Sequence, residues 1–205
     1  MTAPVRRNFR EEQPELHMHS YRKLMPYEKP LLEEHLLRVG GEDRVMRFMG
    51  GVNDDFIRRH CSLIGGPSSA VIGCFIDGTL RGASELWFDS DGDRRCELAL
   101  SVEHDYQGQG IGTELLRRSL VLARNRGASS LYLACLPENR KMQHILKKFG
   151  RIVTTRNAGT MESDLAIAGP SHLTLWQEFA GDGIGMMDAF VERLGASSGK
   201  QRAAA

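Results

Sequence analysis

Between Ser101 and Thr113 the chain reads Ser-Val-Glu-His-Asp-Tyr-Gln-Gly-Gln-Gly-Ile-Gly-Thr, with glycines at 108, 110 and 112. An apolar run leads into this segment and an amphipathic run follows it. Glycine removes the side chains that hold a ligand off the backbone, and it tolerates positive φ. The first N–H groups of a helix have no partner inside the helix and carry partial positive charge. A glycine loop that opens a helix therefore suits an anion, above all phosphate. A second chemically capable residue lies just upstream. In Arg95 to Val102, strand alternation puts Glu97, Ala99 and Ser101 on one face and Cys96, Leu98, Leu100 and Val102 on the other. Glu97 is then a carboxylate on a small-residue face, five positions before the strand reaches the loop. Such a group could take a proton from an amine, directly or through water. It fits an exposed charge on a sheet edge as well. Glu103 is the alternative base, but it sits on the loop side, where a solvated carboxylate is expected; His104, which could relay protons, and Asp105 lie beside it.

The flanking patterns say which elements hold these residues. Tyr21 to Met25 reads as a first strand. Pro30 opens a helix in which Leu32, His35, Leu36 and Val39 share a face, with Gly40-Gly41 as its stop. His35 on that stripe is expected to be a packed core histidine. A second helix is predicted over Asp54 to Leu63. Ala70 to Ile76 and Leu80 to Phe88 are β-rich runs joined by Asp77-Gly78, a strong hairpin signal. After the glycine loop a helix runs to about Arg126, stopped by Gly127. Ser130 to Leu136 is a buried strand, and Asn139 is the N-cap candidate of a helix carrying Met142, Ile145, Leu146 and Phe149. Arg151 to Arg156 and Glu162 to Ile167 form two further strands. Ser171 to Leu194 reads as two short helices, with Trp176, Phe179, Met186, Met187 and Phe190 as apolar positions. The order β, α, α, β, β, β, α, β, α, β, β, helix predicts an α+β fold with a mixed sheet covered on both faces.

Three phosphate-loop patterns can be set against Gln107 to Thr113. A P-loop needs Gly-Lys-Ser/Thr, and here Thr113 follows Gly112 with no lysine. The dinucleotide fingerprint needs G-x-G-x-x-G after a first strand, and here the spacing is G-x-G-x-G after several. The third pattern, Gln/Arg-x-x-Gly-x-Gly/Ala, is met by Gln107 to Gly112. With the Leu100-Ser101-Val102 strand end before it and Asn139 opening the next helix, the sequence resembles the GCN5-related N-acetyltransferase (GNAT) family from about residue 20 to about residue 168.

That resemblance implies a mostly antiparallel central sheet with helices on both faces, and an acetyl group moved from acetyl-CoA to a primary amine. It implies that the coenzyme A pyrophosphate rests on backbone N–H groups of Gln107, Gly108, Gln109, Gly110, Ile111, Gly112 and Thr113. The pantetheine arm would run beside Val102 like an added strand, with Asn139 near it. Members most like this chain carry a glutamate at the place of Glu97, the candidate general base. Many members place a tyrosine, which can protonate the leaving thiolate, where this chain has Leu146. Either the thiolate leaves without a protein acid or another residue, such as Tyr106, assists. Local charge independently suits a phosphate-rich ligand. Between Gly110 and Arg151 stand nine Lys or Arg against Glu114 and Glu138, with Arg140 and Lys141 the best phosphate candidates.

A finer likeness, in Glu42 to Met49 and Cys96 to Leu100, is to the acetyltransferase domain of bacterial Pat-type protein lysine acetyltransferases. It makes a protein lysine the first choice of acceptor. A small-molecule amine is the alternative, and a catalytically silent acyl-CoA-binding module the second.

Composition narrows the class. The 205 residues carry 41% hydrophobic and 26% charged side chains, with a net charge of +1 that gives no case for nucleic acid or a membrane surface. Cys61, Cys74, Cys96 and Cys135 show no C-x-x-C pair, so neither a disulfide framework nor a metal site is expected. The start of the chain lacks an apolar targeting segment, and a cytoplasmic location, as monomer or homodimer, is expected. Residues 1–18 read as a flexible arm, 19–195 as one acetyltransferase domain that includes the helical segment 171–194, and 196–205 as a disordered tail.

Overall fold

The computed structural model describes residues 19–89, 94–149, 152–157 and 159–167. The N-terminal arm, the C-terminal helical segment and the tail lie outside the described residues. Seven strands form one sheet in the order β1-β2-β3-β4-β5-β7-β6. They are β1 His19–Lys23, β2 Ser69–Ile76, β3 Thr79–Phe88, β4 Arg95–Val102, β5 Ser130–Cys135, β6 Ile152–Asn157 and β7 Thr160–Ala166. Among the described residues five α-helices accompany them: α1 Lys29–Arg38, α2 Gly41–Phe48, α3 Asp54–Leu63, α4 Ile111–Asn125 and α5 Arg140–Leu146. All strand pairs are antiparallel except β4 with β5. This is the α+β architecture expected, a mixed and mostly antiparallel sheet between helical layers.

Local chemistry explains the turns that set register. Asp77 and Gly78 both have positive φ, 49° and 73°, as a two-residue hairpin that follows strand twist requires. The β2–β3 pairing they fix runs from Ser69↔Trp87 to Ile76↔Thr79. Gly127, at φ 79°, ends α4.

Each face of the sheet has its own core. Leu32 and Leu36 of α1 and Ile57 and Cys61 of α3 pack with Val71 and Ala83 on one face. On the other, Ile111, Leu115, Leu116 and Leu122 of α4 pack with Leu86, Cys96, Leu98, Leu131 and Leu133. Helix α4 sits close to β3 because the strand presents small groups to it. A Cβ on Gly82 would stand 3.0 Å from Ile111, and Ser119 Oγ donates to Ser84 Oγ at 2.9 Å. All four cysteines are free and buried, so Cys61 joins the other three as a small apolar side chain.

One helix was not foreseen. The glycines at 40 and 41 read as a stop, but Gly41, at φ 54°, is the first residue of α2. Arg44 joins the two helices, donating to the orphan carbonyls of Leu37 and Val39 at 2.8 Å each, while its Nη1 pairs with Asp54.

Candidate functional site

A cleft of about 670 Å³ opens where β4 leaves β5. The two strands pair only over Arg95↔Ser130, Cys96↔Leu131 and Glu97↔Tyr132. Beyond Glu97, residues Leu98 to Val102 have no strand neighbour on that side among the described residues. The other side is occupied by β3, to which Glu103 N–H donates through Arg81 O at 2.9 Å. Because backbone groups alternate along a strand, Leu100 and Val102 turn their N–H and C=O toward the open edge. One of these is already used. Gln107 donates its side-chain amide to the Val102 carbonyl at 2.9 Å and accepts from Lys141 Nζ.

The cleft floor is the glycine loop. No backbone N–H from Gly108 to Thr113 has a hydrogen-bond partner among the described residues, whereas Glu114 N–H reaches Gly110 O at 3.0 Å. The Gln107 N–H is not part of this free set, since it closes a turn on His104 O at 3.1 Å. Gly108 and Gly110 have φ of 78° and 86°, and a Cβ on either would point into open space. Gly112 is glycine for another reason: a Cβ there would stand 2.8 Å from Ile145 Cδ1. Six consecutive unspent N–H groups at the head of a fifteen-residue helix make a cradle that fits a pyrophosphate. Arg140, Lys141 and Lys148 line the same cleft and add positive charge. Asn139 is both N-cap and wall, its Oδ1 accepting from Met142 N–H at 3.0 Å.

Most residues singled out in the sequence converge here. Val102, Gln107, Gly108, Gly110, Ile111, Gly112, Thr113 and Asn139 all line the cleft, as does Tyr106. Gln109 does not; it is exposed and its side chain donates to Asp105 O at 3.3 Å. Glu97 is exposed too and stands outside the cleft wall, flanked in register by Trp87 of β3 and Tyr132 of β5. It occupies the last rung before the strands part. Leu146 is buried in the core and does not reach the cleft.

Two carboxylates depart from expectation. Glu103, read as solvated, is buried and accepts from His35 Nδ1 at 3.1 Å, Arg38 Nε at 2.8 Å and Arg81 Nη1 at 2.8 Å. Burial pushes its carboxyl up, but those three hydrogen bonds outweigh it and hold the pKa down at about 2. His35 is the core histidine expected, yet it is also wired to the site, with Nε2 2.9 Å from Ser101 Oγ. Burial lowers its pKa, which favours the neutral ring, so Nδ1–H donates to Glu103 and Nε2 accepts from Ser101.

Glu85 was missed altogether. It is 1% exposed in β3 and accepts from Arg47 of α2 and from His60 of α3, each at 2.5 Å. Burial raises its pKa, but the Arg47 charge and the His60 hydrogen bond bring it down to about 2. A glutamate in the middle of the buried run Leu80 to Phe88 was the available signal, because a buried charge demands partners. Phe48, Phe56, His60 and Trp87 cluster around this pair, with ring centroids 5.7–6.4 Å apart. Among the described residues no group of three His, Cys, Asp or Glu could hold a metal ion, and no helix is long and apolar enough to cross a membrane.

The family model for the acetyltransferase (GNAT) family matches residues 33–150, more than half of the chain. Among solved structures the fold is similar to the GNAT domain of S. lividans PAT, with TM-score 0.61 and 18% identity over 72% of this chain and 89% of that one. It is also similar to the ribosomal-protein-S18-alanine N-acetyltransferase of Escherichia coli, with TM-score 0.58 and 16% identity over 76% and 97% of the two chains. A third similar structure is PaiA N-acetyltransferase from Thermoplasma acidophilum in complex with coenzyme A, with TM-score 0.56 and 18% identity over 73% and 99%.

Proposed function

The chain belongs to the acetyltransferase (GNAT) family of acetyl-CoA-dependent N-acetyltransferases, and on that premise we propose that it acetylates a lysine side chain of a protein. The observation that carries the cofactor half of this reading is the row of unspent N–H groups from Gly108 to Thr113. In this reading they hold the pyrophosphate, Arg140 and Lys141 face the remaining ribose phosphate, and the pantetheine arm pairs with Leu100 and the Val102 N–H. Glu97, on the rung where β4 and β5 separate, takes the proton from the acceptor ammonium through water. A protein base is needed because an alkyl ammonium near pKa 10.4 is almost wholly protonated at neutral pH. The leaving thiolate needs no strong acid, since its conjugate thiol has a pKa near 8.5. Tyr106, in the cleft wall, stands in for the family tyrosine where one is used.

The acceptor half rests on how the acids near the site are used. A polyamine or aminoglycoside brings several ammonium groups, each needing a counter-charge when desolvated. Here Glu28 is paired with Arg22, Asp43 with His104, Glu85 with Arg47 and His60, and Glu103 with His35, Arg38 and Arg81. In the cleft wall itself, Glu42 and Glu138 are the acids without an ion pair among the described residues, two carboxylates for a polycation that brings more charges than that. Val45, Met49 and Phe56, on and beside α2 and α3, are exposed apolar side chains that suit the neighbours of a lysine in a protein chain. The likeness to the PAT domain points the same way. Incubation with acetyl-CoA and candidate proteins, read by intact mass, is the test, and gain of 42 Da (the mass of an acetyl group replacing hydrogen, about that value) on a protein is expected. Ready turnover of polyamines or aminoglycosides with no protein gaining mass would overturn the acceptor and leave the cofactor reading standing.

A further inference from the structure

Arg47 is a cation whose side chain is only 8% exposed, and it forms part of the cleft wall. Its guanidinium lies over the Phe48 ring, 4.7 Å from the centroid, and of its five N–H donors one is spent among the described residues, on Glu85. Its Nε is sealed from solvent with no hydrogen-bond partner among the described residues. Its Nη1 is neither hydrogen-bonded among the described residues nor among the sealed atoms, so it keeps an accessible face. A buried guanidinium with unspent donors is costly unless a ligand completes it.

Its position says which part of a ligand that is. Glu85 pairs in register with Ala99 of β4, so the guanidinium it holds lies beside the middle of that strand. Ala99 is three residues, about 10 Å, before Val102 and the phosphate cradle. It is two residues past Glu97, where the strands part. An arm extended along the open edge from the cradle brings its reactive end to this place. Charge selects the kind of oxygen. Glu85 already balances Arg47, so a second carboxylate would add an unmatched buried negative charge, whereas a carbonyl oxygen adds none.

We propose that Arg47 Nη1 donates a hydrogen bond to the thioester carbonyl oxygen of the bound acyl-CoA. The proposal rests on the acetyl-CoA reading above and adds a catalytic residue to it. Glu97 first takes one proton from the acceptor ammonium through water; as the free amine nitrogen then bonds to the carbonyl carbon, negative charge builds on that oxygen. The carbon–sulfur bond then breaks, the carbonyl re-forms, and the second nitrogen proton passes through water to the departing thiolate, so that coenzyme A leaves as the thiol. A fixed donor at the oxygen is worth most when the charge is largest, so Arg47 acts on turnover more than on binding.

The test compares acetyl-CoA with S-ethyl-CoA, a thioether that lacks the carbonyl, in the wild-type protein and in Arg47→Lys. Lysine keeps a cation on Glu85 and has no second donor in the guanidinium plane. Titration calorimetry on the wild type should show acetyl-CoA bound about tenfold more tightly than the thioether. Arg47→Lys should abolish that preference while binding the thioether as before, and kcat should fall about 10²-fold with little change in the acceptor KM. Arg47→Gln combined with Glu85→Gln removes both charges together and should lose the preference in the same way, with unfolding of the apo protein checking that it folds. Equal affinity of the wild type for both ligands, or equal weakening of both in Arg47→Lys, would overturn the assignment. Failure of the wild type to bind either ligand would overturn the acetyl-CoA reading itself.

Discussion

At the scale of single residues, Glu97 is the group proposed to take the acceptor's proton. It is exposed, on the same rung as Trp87 and Tyr132, and so can exchange protons with water and with an incoming ammonium. Glu97→Gln keeps shape and hydrogen bonding but cannot hold the proton. We expect kcat to fall about 10²-fold at pH 7 and the deficit to shrink as pH rises and free amine becomes available. A steady-state pH profile from 6.5 to 9.5 reads this directly, and full activity of the variant at pH 7 would remove Glu97 from the mechanism. Residues of this type were legible in the sequence because their evidence is local: alternation along β4, glycine spacing in the loop, Asn139 ahead of an apolar helix. Glu103 and Glu85 were not, because what defines them is distant in the chain. The partners of Glu103 lie 22, 65 and 68 residues away, and those of Glu85 lie 25 and 38 away. Sequence alone shows such a carboxylate, and only the fold supplies its cations.

At the scale of elements, the loop and helix α4 divide their glycines between two duties. Gly110, at φ 86° with open space where a Cβ would stand, shapes the cradle. Gly112 makes room for Ile145. The two should therefore fail differently. Gly110→Val puts a branched side chain into the phosphate's place and an L residue into a left-handed backbone, so acetyl-CoA should no longer raise the melting temperature. Gly112→Ala should lower the apo melting temperature through overpacking, at about 1–3 kcal/mol, while retaining a ligand-induced shift. A normal shift in Gly110→Val would count against the cradle. Element types were readable wherever periodicity was long enough, and the β2–β3 hairpin, α3, β4 and α4 lie within a residue or two of their predicted spans. Helix α2 was not, and the reason is physical. It is only eight residues long, it opens on a glycine that reads as a stop, and none of its residues is fully buried; Phe48 packs against the core while Arg44 and Arg47 reach other elements.

At the scale of the whole molecule, the buried carboxylates Glu85 and Glu103 join the helical layer to the sheet. Glu85 ties β3 to α2 and α3, and Glu103 ties the end of β4 and Arg81 of β3 to α1. Both have folded-state pKa values of about 2, below an unfolded value of 4.5. A carboxylate whose pKa is depressed by folding contributes stability that is fully present above the unfolded value and is lost as pH falls toward the folded one. Each such contribution is on the order of 3 kcal/mol. Stability should therefore fall between about pH 4.5 and about pH 2. His35 acts with the same sign from higher pH, because its lowered pKa means that protons bind the unfolded chain first from about 6.5 downward. Urea unfolding between pH 7 and pH 3 measures the sum. Glu103→Gln is the control: it should be destabilised at pH 7, where Arg38 and Arg81 lose their counter-charge, and should lose less on acidification than the wild type. A variant whose stability falls as steeply as the wild type's would show that Glu103 does not govern the acid limb. Because α2 and the C-cap of α1 also supply Asp43, Arg47 and Val39 to the cleft wall, acetyl-CoA affinity should fail in the same acid window, ahead of global unfolding.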